Sequence, residues 1–405
     1  MFPPFSWLHR LGSLSTPKLV AIVSFFGQLY FFVPVMTPYL LGKGLSLAQI
    51  AGMQTILMVT QLVMELPTGV LADRLGHRRS YQIAMLMAVT GEVVTLLANT
   101  YPHFIAGQVV AGTGFAFASG SVDALVYESL PPENRTTGMQ RAKGQIGSAM
   151  QLASVFAYGV GAWITRELTM GNMRLTLKLD VVGVGMSFLI ALLLREPVRH
   201  IVQERPDSLA LLRTGWKTLR SNAELQRLVL ISIVTNAFVA HLLIFYQDYF
   251  LQTGVSPIWL GLGLSLGSVV AFFTQLHAWR LPAALGNRRG LLIATGVPGV
   301  LYLIMAINQH PVVAVILFVL QWGAVQLSLP LFSGLFNAHL DESARATSLS
   351  LISGVVTVYI GIGGVTLGWL AGQSLSLMFA ILGTIIVAGT ILIRPHVQPD
   401  PDHAL

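Results

Sequence analysis

The chain has 405 residues, of which 54% are hydrophobic and only 10% charged, and it carries a net charge of +7. A soluble domain carries about 25% charged residues, so this composition excludes a water-facing globule, and its basic balance has to be explained by where the cations stand. Cysteine is absent, which excludes a disulfide framework, thiolate chemistry and cysteine-ligated zinc.

Residues 1–17 hold no long apolar core and no small-residue cleavage site, so they read as a cytoplasmic segment and not a signal peptide. Six apolar runs follow at about 18–41, 47–71, 80–98, 102–130, 143–165 and 176–194. Six more occupy about 223–251, 257–279, 288–307, 311–338, 347–370 and 373–393. Most reach the roughly 20 residues that a helix needs to cross about 30 Å of hydrocarbon. The expectation is an all-α integral membrane protein with 12 transmembrane helices. Between the two sets lies the most charged stretch, a linker over 196–222. There Asp207 or Ser208 can cap an amphipathic helix with Leu209, Leu212, Trp216 and Leu219 on one face, lying on the inner membrane surface. Residues 395–405, with Pro395, Pro399 and Pro401, cannot continue a helix and read as a disordered tail.

With both termini inside, only Lys43, Arg166, Arg174 and Lys178 of the 24 lysines and arginines fall in outer connections. That is the asymmetry of the positive-inside rule. Basicity encodes topology here, and nucleic acid is excluded as a partner. An internal repeat organises the chain at an offset of 210: YLLGKGLS (39–46) pairs with YFLQTGVS (249–256), LGHRR (75–79) with LGNRR (285–289), and RTTG (135–138) with RATS (345–348). The reading is two pseudo-symmetric six-helix bundles, 18–195 and 223–394.

The first charged loop, GVLADRLGHRR over 69–79, resembles the loop signature of the major facilitator superfamily, and it stands where that signature is found, between the second and third helices. The likeness covers essentially the whole chain. It implies that superfamily's fold, with substrate bound near the midplane between two halves that rock in alternating access. It also implies a cytoplasmic latch built on Asp73. Physically, Gly69 and Gly76 permit a close approach and a tight turn. Asp73 is placed to accept bonds from Arg74 or Arg78, or to sit at a helix N-terminus. Glu128 is expected to pair with the motif arginines. His77 stands where the superfamily often has arginine or lysine, which makes charge there depend on pH. In the second copy Ala283 replaces Asp73. Two departures weaken a standard drug–proton antiporter: Gln108 stands four residues before Gly112, where many proton-coupled members carry arginine, and the glycine–proline signature is missing from 144–163.

Six acids fall within proposed spans: Glu65, Glu92, Asp123, Glu128, Asp180 and Asp248. A carboxylate in hydrocarbon must face a water-filled cavity, pair with a cation or bind a proton. Glu65, Glu92 and Asp123 are the proton-coupling candidates, with Glu92 foremost because it lies far from the inner cations. Candidates for the substrate path are Gln28, Tyr30 and Phe31 in the first helix, Gln54 in the second, Asn236, His241, Tyr246 and Asp248 in the seventh, and Gln321 and Trp322 in the tenth. Together they suit an organic, partly apolar solute. No GxxxxGK[ST] phosphate cradle occurs, so nucleotide is excluded, and no HExxH or GxSxG motif points to an enzyme. The expectation is a monomeric secondary transporter without cofactor or metal, in a bacterial cytoplasmic membrane with both termini cytoplasmic. Its partners are a small molecule, protons and the lipid bilayer. Proton-coupled efflux is favoured, uptake of a nutrient or chelator is the alternative, and a non-transporting membrane receptor is the remote one.

Overall fold

Proline and glycine set the ends of the helices. The computed structural model describes residues 14–131, 135–196, 216–217, 219–236, 239–338 and 345–393. Helix α1 (Thr16–Gly27) begins on Pro17, whose missing N–H costs nothing in a first turn. A 3₁₀ turn (Val33–Val35) leads into α2 (Met36–Gly42). Then come α3 (Leu47–Leu75), α4 (His77–Leu97), α5 (Tyr101–Glu128), α6 (Arg135–Ile164) and α7 (Met170–Ala191). Thr169 caps α7 by accepting from the Asn172 amide. The later helices are α8 (Ala223–Asn236), α9 (Val239–Gln252), α10 (Ile258–Leu276), α11 (Arg280–Leu285), α12 (Asn287–Ile307), α13 (Pro311–Ala338), α14 (Arg345–Gln373) and α15 (Leu375–Ile393). There is no strand among the described residues.

Eight of these helices are long and apolar enough to cross a membrane. Helices α6 and α7, with 30 and 22 residues, have the length but carry more polar residues. The first expected span, 18–41, is not one helix: α1 ends at Gly27 and helical structure resumes at Val33. Pro34 is part of the reason, because it has no N–H to give and its ring crowds the carbonyl four residues earlier. The seventh expected span, 223–251, is helical over Ala223–Asn236 and Val239–Gln252.

The duplication is written into the backbone. The positive-φ glycines among the described residues are Gly44 (85°), Gly76 (99°), Gly254 (75°) and Gly286 (80°), two pairs that are each 210 residues apart. Gly76 and Gly286 each stand immediately before a long helix, where the left-handed turn would strain any side chain.

The chain forms two compact units, Met1–Leu45 with Ile56–Ile201, and Ser46–Thr55 with Val202–Leu405. The start of α3 thus groups with the second unit, which the bundle limits 18–195 and 223–394 do not anticipate. The core of the first unit gathers Leu19, Val20 and Val23 of α1 against Tyr81, Phe117, Leu125 and Ile190. In the second, Leu225, Leu228 and Ile231 pack on Leu291, Phe332 and Phe336. Outward faces are apolar as well: Val63, Leu66, Leu152, Trp163, Ile362 and Leu392 are all more than half exposed. A surface of that kind belongs in hydrocarbon. Residues 1–13 of the expected cytoplasmic segment, the expected tail over 395–405 and most of the expected linker helix lie outside the described residues. Of the linker, residues 216–217 and 219–221 are helical, Arg220 lies 5.6 Å over the Trp216 ring, and Asn222 caps α8.

Candidate functional site

The break in the first span is held by side chains from two other helices. Because α1 stops at Gly27, the amides of Phe31 and Phe32 have no helical acceptor. Asp180, at mid-length in α7 and 1% exposed, supplies one: its Oδ1 accepts from Phe31 N at 2.7 Å and Phe32 N at 3.3 Å, and its Oδ2 lies 3.4 Å from Phe32 N. The carbonyl side of the break rests on glycine. A Cβ on Gly161 of α6 would run into the Phe31 carbonyl oxygen, and one on Gly183 of α7 would come within 3.2 Å of the Phe26 carbonyl. Ser187 of α7 completes the seat by donating to Val23 O at 2.9 Å.

The carboxyl of Glu92, in α4, interacts electrostatically with the Asp180 carboxyl. Both acids and the Tyr158 hydroxyl act on the Tyr30 hydroxyl, and Asp180 acts on Tyr158. Among the described residues no cation acts on Glu92 or Asp180. The structure therefore brings two sequence candidates, Glu92 and Tyr30, to Asp180, an acid the sequence marks only as intramembrane.

The charged loop assembles differently from expectation. Glu128 pairs with His77, Nε2 to Oε1 at 3.3 Å, and not with an arginine. The Arg78 Nε and the Glu128 Oε2 are buried without a hydrogen-bond partner, and Arg74 is exposed. The reason is position: His77 opens α4 and Glu128 closes α5, so the two ends meet. The close approach assigned to Gly69 is not there, since a Cβ on it would meet nothing within 4 Å. At Gly76 it is real, and the Glu196 carboxylate fills the space, its Oε1 2.7 Å from where a Cβ would stand. Sequence reasoning missed Glu196. Its carboxylate sits at the N-terminus of α4, where the helix dipole favours negative charge. The side chain of Asp73 lies outside the described residues. Asp123 is exposed and bonded to Lys143 at 2.8 Å, while Glu65 lines a cleft of about 160 Å³ with Thr68, Phe117 and Ser121.

In the second unit the expected substrate residues divide. Tyr246 is fully buried, donates to Leu260 O at 2.9 Å and stacks on Phe318 at 4.3 Å. Gln321 is fully buried beside the Tyr302 hydroxyl, and Trp322 stacks on Phe318 and covers Gly267. His241 stacks on Phe245 and stands against Gly364 of α14. Asp248 accepts from Gln252 at 3.0 Å. Gln28 and Gln54 are partly buried, Phe31 is buried, and the Asn236 side chain lies outside the described residues.

Long apolar helices in two units, with a buried carboxyl beside a broken span, define a multi-pass membrane protein. The chain belongs to the Major Facilitator Superfamily, whose family model matches residues 19–276. It is 21% identical over 370 residues to the uncharacterized MFS-type transporter YxaM of Bacillus subtilis (strain 168), covering 89% of this chain and 90% of that one. A shorter likeness, 25% identity over 172 residues, covers 40% of this chain and 39% of the probable 4-methylmuconolactone transporter of Cupriavidus pinatubonensis. Among solved structures, the nucleoside transporter NupG superposes with a TM-score of 0.75 at 14% identity, covering 94% of this chain and 98% of that one. The D-xylose-proton symporter does so with 0.66 at 15% identity, covering 95% and 98%. At such identities the structural likeness establishes the fold alone.

Proposed function

We propose that the chain is a proton-coupled secondary transporter that exports a small, partly apolar organic solute by alternating access. It works as a monomer in a bacterial cytoplasmic membrane, with both termini cytoplasmic. The observation that carries this reading is Glu92: a carboxyl within a membrane helix, interacting with a second carboxyl, with no cation among the described residues acting on it. Two acids so placed hold a proton between them more readily than two charges, and a proton that loads and leaves with conformation couples the gradient to movement. Aromatic and amide side chains of the first and seventh expected spans suit an amphipathic solute. Such a solute enters a cell through lipid unaided, so the work of a gradient is needed to remove it.

The test is gradient-driven flux in liposomes containing the purified chain and a panel of amphipathic fluorescent compounds. Glu92→Gln should abolish accumulation driven by a pH gradient while sparing solute exchange at equal pH. Unchanged accumulation would remove Glu92 from the mechanism, and binding without any flux would assign a receptor. In cells, deletion should raise intracellular accumulation of the transported compound. Lowered accumulation would assign uptake.

A further inference from the structure

We infer that Asp180 is a second proton site, and that its charge holds the break in the first span, so that proton occupancy sets the conformation of residues 28–32. This rests on the proton-coupled reading above. Three observations support it, the first two independent of Glu92.

The first is the geometry. A single carboxyl receives both amides freed by the break, Phe31 N at 2.7 Å and Phe32 N at 3.3 Å. In hydrocarbon such amides have no water to turn to. Bonds from an amide to a charged carboxylate are about twice as strong as to a neutral acceptor, so a proton on Asp180 weakens the hold without removing the residue.

The second is the seat. With Gly161 against the Phe31 carbonyl and Gly183 against the Phe26 carbonyl, the segment is fitted to its present place. A change at its amides therefore alters a defined arrangement, not a loose loop. The segment carries Gln28, Tyr30 and Phe31, the substrate-path candidates of the first helix.

The third is the internal repeat. At the offset of 210, Glu92 becomes Tyr302 and Asp180 becomes Thr390. Both acids are replaced together by neutral residues, and Thr390 bonds instead to Thr295 at 3.4 Å. The second copy is helical over 239–242, the equivalents of residues 29–32. Where the acid is replaced these residues carry no break, so the carboxylate and the break go together.

The groups that face Asp180 are Tyr30 from the segment itself, Glu92 from α4 and Tyr158 from α6. The proton step adds one proton to the Asp180 carboxylate and leaves it neutral; if the Glu92 carboxylic acid supplies it, Glu92 is left charged. Tyr30 and Tyr158 lend hydroxyls close to that step.

Amide hydrogen exchange read by mass spectrometry on the full chain in nanodiscs tests this directly. Peptides covering 28–35 are followed between about pH 8 and about pH 5, corrected for the intrinsic exchange rate at each pH. In the wild type, protection in this segment should fall roughly tenfold towards acid, the difference between a charged and a neutral hydrogen bond. Asp180→Asn should be flat with pH, and Asp180→Glu should restore the step. The assignment is overturned if the wild type shows no step, or if Asp180→Asn shows the same one. The readout is exchange and not flux. A wild type with the step but without proton-driven transport would overturn the coupling reading and leave Asp180 in place, whereas transport without the step would overturn Asp180 alone.

Discussion

His77 Nε2 stands 3.3 Å from Glu128 Oε1, joining the first residue of α4 to the last residue of α5. The side chains are 12% and 22% exposed, so solvent screens the pair only in part. The pair ties two helix ends together. His77→Ala should lower thermal stability by up to ~1 kcal/mol, and adding Glu128→Ala to that variant should cost less than Glu128→Ala does alone, because the shared contact is already gone. Strictly additive losses in the double variant would mean the contact contributes nothing.

Two glycines give opposite expectations for the same substitution. Gly161→Ala drives a methyl into the Phe31 carbonyl of the broken span, and overpacking of this kind costs about 1–3 kcal/mol. Gly69→Ala meets nothing within 4 Å, and alanine is favoured over glycine in a helix by about 1 kcal/mol. In detergent, melting of the first variant should fall by several degrees and that of the second should hold or rise. If Gly69→Ala also impairs flux, the glycine serves a conformation other than the one seen.

Much of the architecture was legible because membrane spans obey strong, local rules. Long apolar runs, cation placement and the repeat at 210 each follow from chain order alone, and the paired positive-φ glycines carry that repeat into the backbone. Partners were less legible because they depend on helix phase and on where ends meet. Glu128 was expected on an arginine, but the end of α5 meets the start of α4, where His77 stands. Tyr246 looked like a pocket residue because an aromatic with a hydroxyl suits a solute equally well, and only burial reveals that Leu260 O already holds it. Asp180 escaped assignment because its partners, the Phe31 and Phe32 amides, are backbone groups about 150 residues away and leave no side-chain pattern.

Burial makes a prediction for Tyr246. Its hydroxyl donates to Leu260 O in a fully buried place, and its ring lies between Phe318 and Phe250. Tyr246→Phe keeps the ring and leaves one buried carbonyl without that bond, which costs about 1 kcal/mol. Thermal unfolding should register this, while the apparent KM for a transported compound stays within about twofold, a change too small to mark a lost hydrogen bond. A KM rise of an order of magnitude with unchanged melting would place Tyr246 on the solute path.

Asp123 and Glu92 are both candidates for the proton, and their surroundings separate them. Asp123 lies 2.8 Å from Lys143 with both side chains 58% exposed. A carboxylate so placed has a cation to balance it and needs no proton to remain in the chain, and pairs of this exposure contribute about 0–1 kcal/mol. Among the described residues Glu92 has Asp180 for company and no cation acting on it. Asp123→Asn should therefore keep gradient-driven flux within about twofold of the wild type, as Lys143→Ala should, with any small effect on melting erased by added salt. Glu92→Gln should lose that flux while exchange persists. Loss of coupling in Asp123→Asn with coupling intact in Glu92→Gln would reverse the assignment and move the proton to the end of α5.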